Sequence, residues 1–110
     1  MSEDKSKEDK SQEDNRNVVY IGSQKPAMSY VLATLTCLNY SPKVYLKARG
    51  AAISHAVDVA QITINRFAQG VKVAGITLDT EELQSQEGGM RNVSTILIEL
   101  EGSKRDKVED

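Results

Sequence analysis

The run Lys47-Ala48-Arg49-Gly50-Ala51-Ala52-Ile53-Ser54-His55-Ala56-Val57-Asp58 leads out of a strand that ends in two cations, through a glycine, and into a helix. Just upstream, Val44, Leu46 and Ala48 alternate with Lys43, Tyr45, Lys47 and Arg49. Period-two alternation sends the two sets to opposite faces of one strand. One face packs and the other offers charge.

Working outward from this strand, the periodicity switches repeatedly. Val18-Val19-Tyr20-Ile21 reads as a short strand closed by Gly22. Pro26, its φ already suited to a first helical turn, opens a helix in which Met28, Val31, Leu32, Leu35 and Leu38 recur at helical spacing. Ser41-Pro42 ends it near Asn39. The second helix is expected over residues 52–68, with Gly70 at a position suited to a left-handed cap. Its core stripe reads as Ile53, Val57, Ala60, Ile64 and Phe67, and Val59 and Ile62 fall outside it as an apolar patch in want of a partner. Two strands rich in β-branched residues follow at 71–79 and 93–100, joined by a polar arm over 80–92 that includes Gly88-Gly89. The order β-α-β-α-β-β predicts an α+β fold: a mixed four-stranded sheet with two helices on one face.

A chain of 110 residues supports one domain. Residues 1–16 have nothing apolar after Met1, and of Gly102 to Asp110 only Val108 is apolar, so both segments read as disordered tails around a domain at 17–101. No apolar run approaches the length of a membrane span and no secretory signal opens the chain, which predicts an intracellular, cytoplasmic protein. Cys37 is the sole cysteine; an internal disulfide is impossible, and flanking leucines mark it as a buried small hydrophobe.

The formal charge of −2 is unevenly spread. Residues 1–16 hold four cations and six acids, residues 101–110 hold three and four, and the 84 residues between hold seven cations and six acids. The acidity sits mainly in the tails, so the sign of the domain's surface depends on where its cations are placed. The acidic first segment either competes with phosphate for a basic face or serves as a solubilising tail.

Three separated segments carry a family resemblance. The run Lys47 to Asp58, the run Asn17 to Ala33 containing Ile21-Gly22-Ser23-Gln24-Lys25-Pro26, and Asn65-Arg66-Phe67 together resemble the Alba family of small archaeal chromatin and RNA-binding proteins. The resemblance spans roughly residues 17–100 and implies the same β-α-β-α-β-β fold. It also implies a dimeric, sequence-tolerant binder of double-stranded DNA and structured RNA that is associated with the chromosome.

Lys25 lies beside a helix N-terminus, where backbone N–H groups also favour anions. Taken alone it is either a phosphate contact or a solvated loop lysine; the resemblance, in which a lysine pair usually precedes the proline, favours the contact. Gln24 replaces the first lysine of that pair, the one whose acetylation weakens DNA binding in the family, and Ser23 looks inserted. Weaker binding, not switched by acetylation, is expected there. Along Lys43, Tyr45, Lys47 and Arg49, a guanidinium grips phosphate through two donors and a tyrosine between cations packs on a sugar or base. The alternative is an ordinary solvent-facing strand side. Lys47 and Arg49 match the family's Lys-Ala-Arg-Gly motif, associated with nucleic-acid contact, whereas Ala51 and His55 stand where a second arginine and a lysine often follow. His55 reads as a surface residue able to gain charge below neutral pH. The 80–92 arm resembles the family's extended β-hairpin, which reaches toward the minor groove. Here it offers Arg91 against Glu81, Glu82 and Glu87. Asn65, Arg66 and Phe67 match a region used in dimer–dimer contact, with Val59 and Ile62 as further interface candidates; plain core packing is the alternative for Phe67.

Nothing indicates an enzyme: there is no Gly-x-Ser-x-Gly, no phosphate-binding Gly-Lys-Ser/Thr loop and no His/Cys cluster with metal spacing. No cofactor or metal is expected. Against the leading reading, a homodimer on DNA or RNA, stands one from another class. The lost cations at Gln24, Ala51 and His55 suit an adaptor that forms hetero-dimers with a more basic paralogue.

Overall fold

The computed structural model describes residues 17–85 and 88–102. The two expected tails, apart from Gly102, and Glu87 lie outside the described residues. Four strands, β1 (Val18–Ile21), β2 (Lys43–Arg49), β3 (Lys72–Gln84) and β4 (Met90–Glu101), form one sheet in the order β1-β2-β4-β3. β1 and β2 are parallel and the other two pairings antiparallel. Helices α1 (Ala27–Tyr40) and α2 (Ile53–Ile62) are the two connections that follow β1 and β2. This is the mixed sheet with two helices that the order of elements predicts.

Alternation sets the two faces. Val19, Ile21, Val44, Leu46, Ala48, Ile96, Ile98 and Leu100 are buried on the face that the helices cover. Their neighbours Tyr20, Lys43, Tyr45, Lys47 and Arg49 are half-buried or exposed on the open face. Leu46 and Leu100 are fully buried, each adding about 1.5–3 kcal/mol of apolar transfer.

α1 starts after Pro26, whose φ of −65° and extended ψ of 153° place it as the residue capping the helix. The helix lays Val31 and Thr34 into the core, with Leu35, Cys37 and Leu38 packed against it, while Met28 and Leu32 are exposed. The buried Thr34 hydroxyl is satisfied by donating to the Tyr30 carbonyl at 2.8 Å. Burial pushes the Cys37 thiol pKa up, as expected of a packed cysteine.

The core stripe of α2 differs from the expected one. Ala52, Ala56, Val59, Ala60 and Thr63 face inward, whereas Val57 and Phe67 are exposed. Val59 is therefore a core residue and not an interface candidate; its whole side chain is used within its own chain. The physical reason is that small alanines let α2 settle close to the sheet, so the contact follows Ala56 and Ala60 in place of the bulkier Val57. Ile62 is half-buried against the same core.

Nor does α2 end on a left-handed Gly70. Thr63–Phe67 forms a widened π turn in which the Ala68 N–H donates to the Thr63 carbonyl at 2.8 Å. The extra residue in that turn leaves Asn65, Arg66 and Phe67 on the outside. Among the described residues the glycines with positive φ are Gly50 and Gly88. The arm, too, is more regular than its composition suggests. β3 and β4 stay paired out to Gln84 opposite Met90, because a hairpin ladder is closed by backbone groups and tolerates polar side chains on both faces.

Gly50, at φ 59°, turns the chain from β2 into the 3-10 turn Gly50–Ala52 that precedes α2. A Cβ there would meet Val93 Cγ1 at an ordinary 3.6 Å, so the cost of a side chain is conformational and not steric. Gly50→Ala is expected to destabilise the fold by about 1–2 kcal/mol, read as a lower urea midpoint at unchanged slope.

Candidate nucleic-acid interface

The sheet brings the sequence-predicted cations to one end. β1 and β2 run parallel, so their C-terminal ends, the Ser23-Gln24-Lys25 loop after β1 and the Arg49-Gly50 turn after β2 lie side by side. Lys47 sits opposite Tyr20 on β1, and Arg49 opposite Thr95 on β4. Thr95 in turn pairs with Asp79, and Val93 with Glu81. Arg91 follows Val93 and Thr95 by alternation, roughly 13 Å further along β4 at 3.3 Å per residue. Lys47, Arg49 and Arg91 thus share the open face, with Lys25 at its upper edge.

Two of the strand cations are already engaged. Arg49 Nη1 lies 3.2 Å from Glu81 Oε1 on the arm, and Lys43 Nζ lies 3.0 Å from Glu99 Oε2 on β4. The hydrogen bond and charge of Glu99, assisted by Tyr45 and Glu101, hold the Lys43 ammonium pKa above its ordinary value. Lys47 and Lys25 make no ion pair with another described residue. The Arg49–Glu81 pair is solvent-exposed, at 57% and 40% of the side chains, so it contributes only about 0–1 kcal/mol. A phosphate can displace Glu81 with little loss. Tyr20, Lys47, Arg49, Glu81 and Thr95 wall a shallow cleft of about 270 Å³ at this end of the sheet.

His55 is more than a surface residue. Its Nε2 lies 2.8 Å from the Lys25 carbonyl, and its ring meets Tyr30 edge to face with centroids 5.8 Å apart. The Tyr30 hydroxyl in turn accepts from the Gly22 N–H at 3.1 Å. α1 and α2 therefore hold both ends of the Gly22–Lys25 loop through side chains, which sequence reasoning missed because the partners are 8 and 30 residues apart. A further surface was also missed. Val73, Ile76 and Leu78 on β3 are exposed, Leu78 at 72%. They pair with Leu100, Ile98 and Ile96 of β4, which are buried on the helix side. The bulge between Val73 and Gly75 keeps Val73 in phase with Ile76. Of this row only Ile76 and Leu78 were legible by alternation; the bulge that brings Val73 into it was not. Of the interface candidates, Asn65, Arg66 and Phe67 are exposed, Phe67 at 50%, so plain core packing does not account for the phenylalanine.

This architecture defines a small α+β protein with a cation-bearing sheet end, an extended hairpin and an apolar edge strand. A model of the Alba family matches residues 17–80. The chain is 49% identical over 86 residues to a DNA/RNA-binding protein Alba of Picrophilus torridus, covering 76% of this chain and 93% of the relative. Among solved structures it is similar to Alba from Thermoplasma volcanium, with a TM-score of 0.72 and 48% identity over 77% of this chain and 99% of that one. It is also similar to ALBA1 from Trypanosoma brucei, with a TM-score of 0.66 and 26% identity over 86% and 75% of the two chains. The chain belongs to the Alba family.

The loop clasp has a measurable consequence. His55→Ala removes the contact to the Lys25 carbonyl, and amide hydrogen exchange in the 23–25 loop is expected to accelerate roughly two- to tenfold, the range for a hydrogen bond worth about 0.5–1.5 kcal/mol.

Proposed function

We propose that the domain at 17–101 binds nucleic acid without sequence preference, as an architectural protein that coats duplex DNA and structured RNA through backbone phosphates. The observation that carries this reading is the convergence of Lys25, Lys47 and Arg49 at one end of the sheet, with Arg91 on the same face of the arm. Phosphate contact supplies affinity and no sequence information. The names of the relatives support nucleic acid as the ligand class. The arm's Glu81 and Glu82 oppose it, so binding is weak per subunit and sensitive to salt.

The protein acts as a dimer in this reading. Val73, Ile76 and Leu78 offer an apolar row on an edge strand that neither helix shields, and a two-fold partner seated there duplicates the cationic end. Asn65, Arg66 and Phe67, exposed after the π turn, are the candidate contact between dimers along the nucleic acid. A second reading, a hetero-dimer partner for a more basic paralogue, draws on Glu81 and Glu99, which occupy two of the strand cations.

Two measurements test these proposals. In anisotropy titrations with duplex DNA, log affinity is expected to fall linearly with log salt, and Lys47→Ala or Arg49→Ala is expected to reduce the slope's magnitude by about 1 each. No binding at low salt, or an unaltered slope in both variants, removes the phosphate assignment and favours the hetero-dimer. In light scattering after gel filtration, the intact protein is expected at twice the 12.1 kDa chain mass and Leu78→Asp at the chain mass. A monomeric wild type sinks the edge-strand dimer.

A further inference from the structure

Gripping a phosphate backbone requires cations and donors but no aromatic ring. Even so, the open face carries two tyrosines on neighbouring strands. Tyr20 stands between Val19 and Ile21, both buried beneath the helices, and is itself 61% exposed on the opposite side. In the parallel register Tyr20 lies beside Lys47, and Val18 beside Tyr45. Tyr45 is therefore diagonal to Tyr20, about 8 Å away between Cα atoms from the strand spacing and rise. Lys47 is next to one tyrosine and two residues along the strand from the other. The cleft beside Tyr20 is walled by Lys47, Arg49, Glu81 and Thr95, and its volume of about 270 Å³ falls just below the usual range for drug-sized ligands.

We infer that this half of the open face is a stacking site for unpaired nucleotides, distinct in ligand from the duplex coating on whose nucleic-acid reading it rests. Tyr20 and Tyr45 pack on bases of a single strand, Lys47 and Arg49 take its phosphates, and the cleft receives the edge of one base against the Glu81 carboxylate and the Thr95 hydroxyl. Base–aromatic stacking is sequence-tolerant because every base has a π-face. A four-stranded sheet backed by two helices, with aromatics on the open face of adjacent strands, is the geometry by which RRM modules bind unpaired RNA. Bases inside a duplex are stacked on each other and cannot reach such a face.

Charge favours a particular path. Tyr20, Lys43, Tyr45, Lys47 and Arg49 lie on β1 and β2, whereas Asp79, Glu81, Glu99 and Glu101 lie on β3 and β4. Of these acids, Glu81 and Glu99 are already paired with Arg49 and Lys43. A polyanionic strand running along β1 and β2 meets the cations and skirts the acids.

The test compares short single-stranded RNA and DNA, an abasic strand of equal length and charge, and a duplex, each titrated with the intact protein and with Tyr20→Ala, Tyr45→Ala and Tyr20→Phe. Wild type is expected to prefer intact single strands to the abasic strand by about fivefold or more. Each alanine variant is expected to lose about fivefold or more on single strands, the lower end for one stacked base. Duplex affinity of Tyr20→Ala stays unchanged, and Tyr20→Phe retains binding. Equal RNA and DNA affinities support stacking alone, and an RNA preference supports stacking with added 2′-hydroxyl contact. Since Tyr45 is half-buried, circular dichroism confirms the fold of its variant, and Tyr20→Ala carries the decision if Tyr45→Ala unfolds. No preference over the abasic strand, or equal losses on duplex and single strand, overturns the inference while leaving duplex coating intact. Failure of wild type to bind any of the four ligands overturns both.

Discussion

The pairing of β2 with β1 on one side and β4 on the other is the constraint from which the rest of this molecule follows. Val44, Leu46 and Ala48 are buried on one face of that central strand, and Lys43, Tyr45, Lys47 and Arg49 line the other. A one-residue slip would bury the cations and expose the aliphatics. The burial that stabilises the sheet therefore also fixes the direction of the charges. Packing and function are here two sides of a single register.

The same register explains why the cationic end is both present and restrained. Arg49 on β2 meets Glu81 on β3 by reaching across β4, which lies between the two strands, and Lys43 meets Glu99 because β2 and β4 pair antiparallel. Exposed pairs of this kind are weak and screened by salt. They lower the free positive charge without locking the side chains in place. The two tyrosines add area to this face that does not depend on charge, and Lys47 lies among them without an acidic partner among the described residues.

Local backbone devices complete the arrangement. Gly50 in the left-handed region re-aims the chain directly after Arg49. The side chains of Tyr30 and His55 hold the loop that bears Lys25. The π turn at Thr63–Phe67 brings Phe67 to the surface and buries Thr63, whose hydroxyl has no hydrogen-bond partner among the described residues. Each device sits at an element end near a candidate contact, where a small change of backbone path decides which side chains a partner meets.

By itself the sequence determined the order of elements, the inner and outer faces of β2, and the identity of Lys25, Lys47 and Arg49 as the cations worth following. These are local matters: period-two alternation, a proline at a helix start and a glycine at a strand end are all written within a few residues of each other. The tertiary structure alone decided what depends on distant partners. Helical spacing placed Val57 and Phe67 in the core of α2 along with Ala60, but the sheet accepts Ala56 and Val59 beside Ala60, since closeness of approach outweighs bulk once a surface must be matched. The composition of the polar arm hid the continuation of β3 and β4, which only the family resemblance implied as an extended hairpin, because the ladder is made by backbone groups that sequence hydropathy does not register. Glu81 on Arg49, Glu99 on Lys43 and His55 on Lys25 join residues 30 or more positions apart, and only the closed sheet with its packed helices brings them within reach.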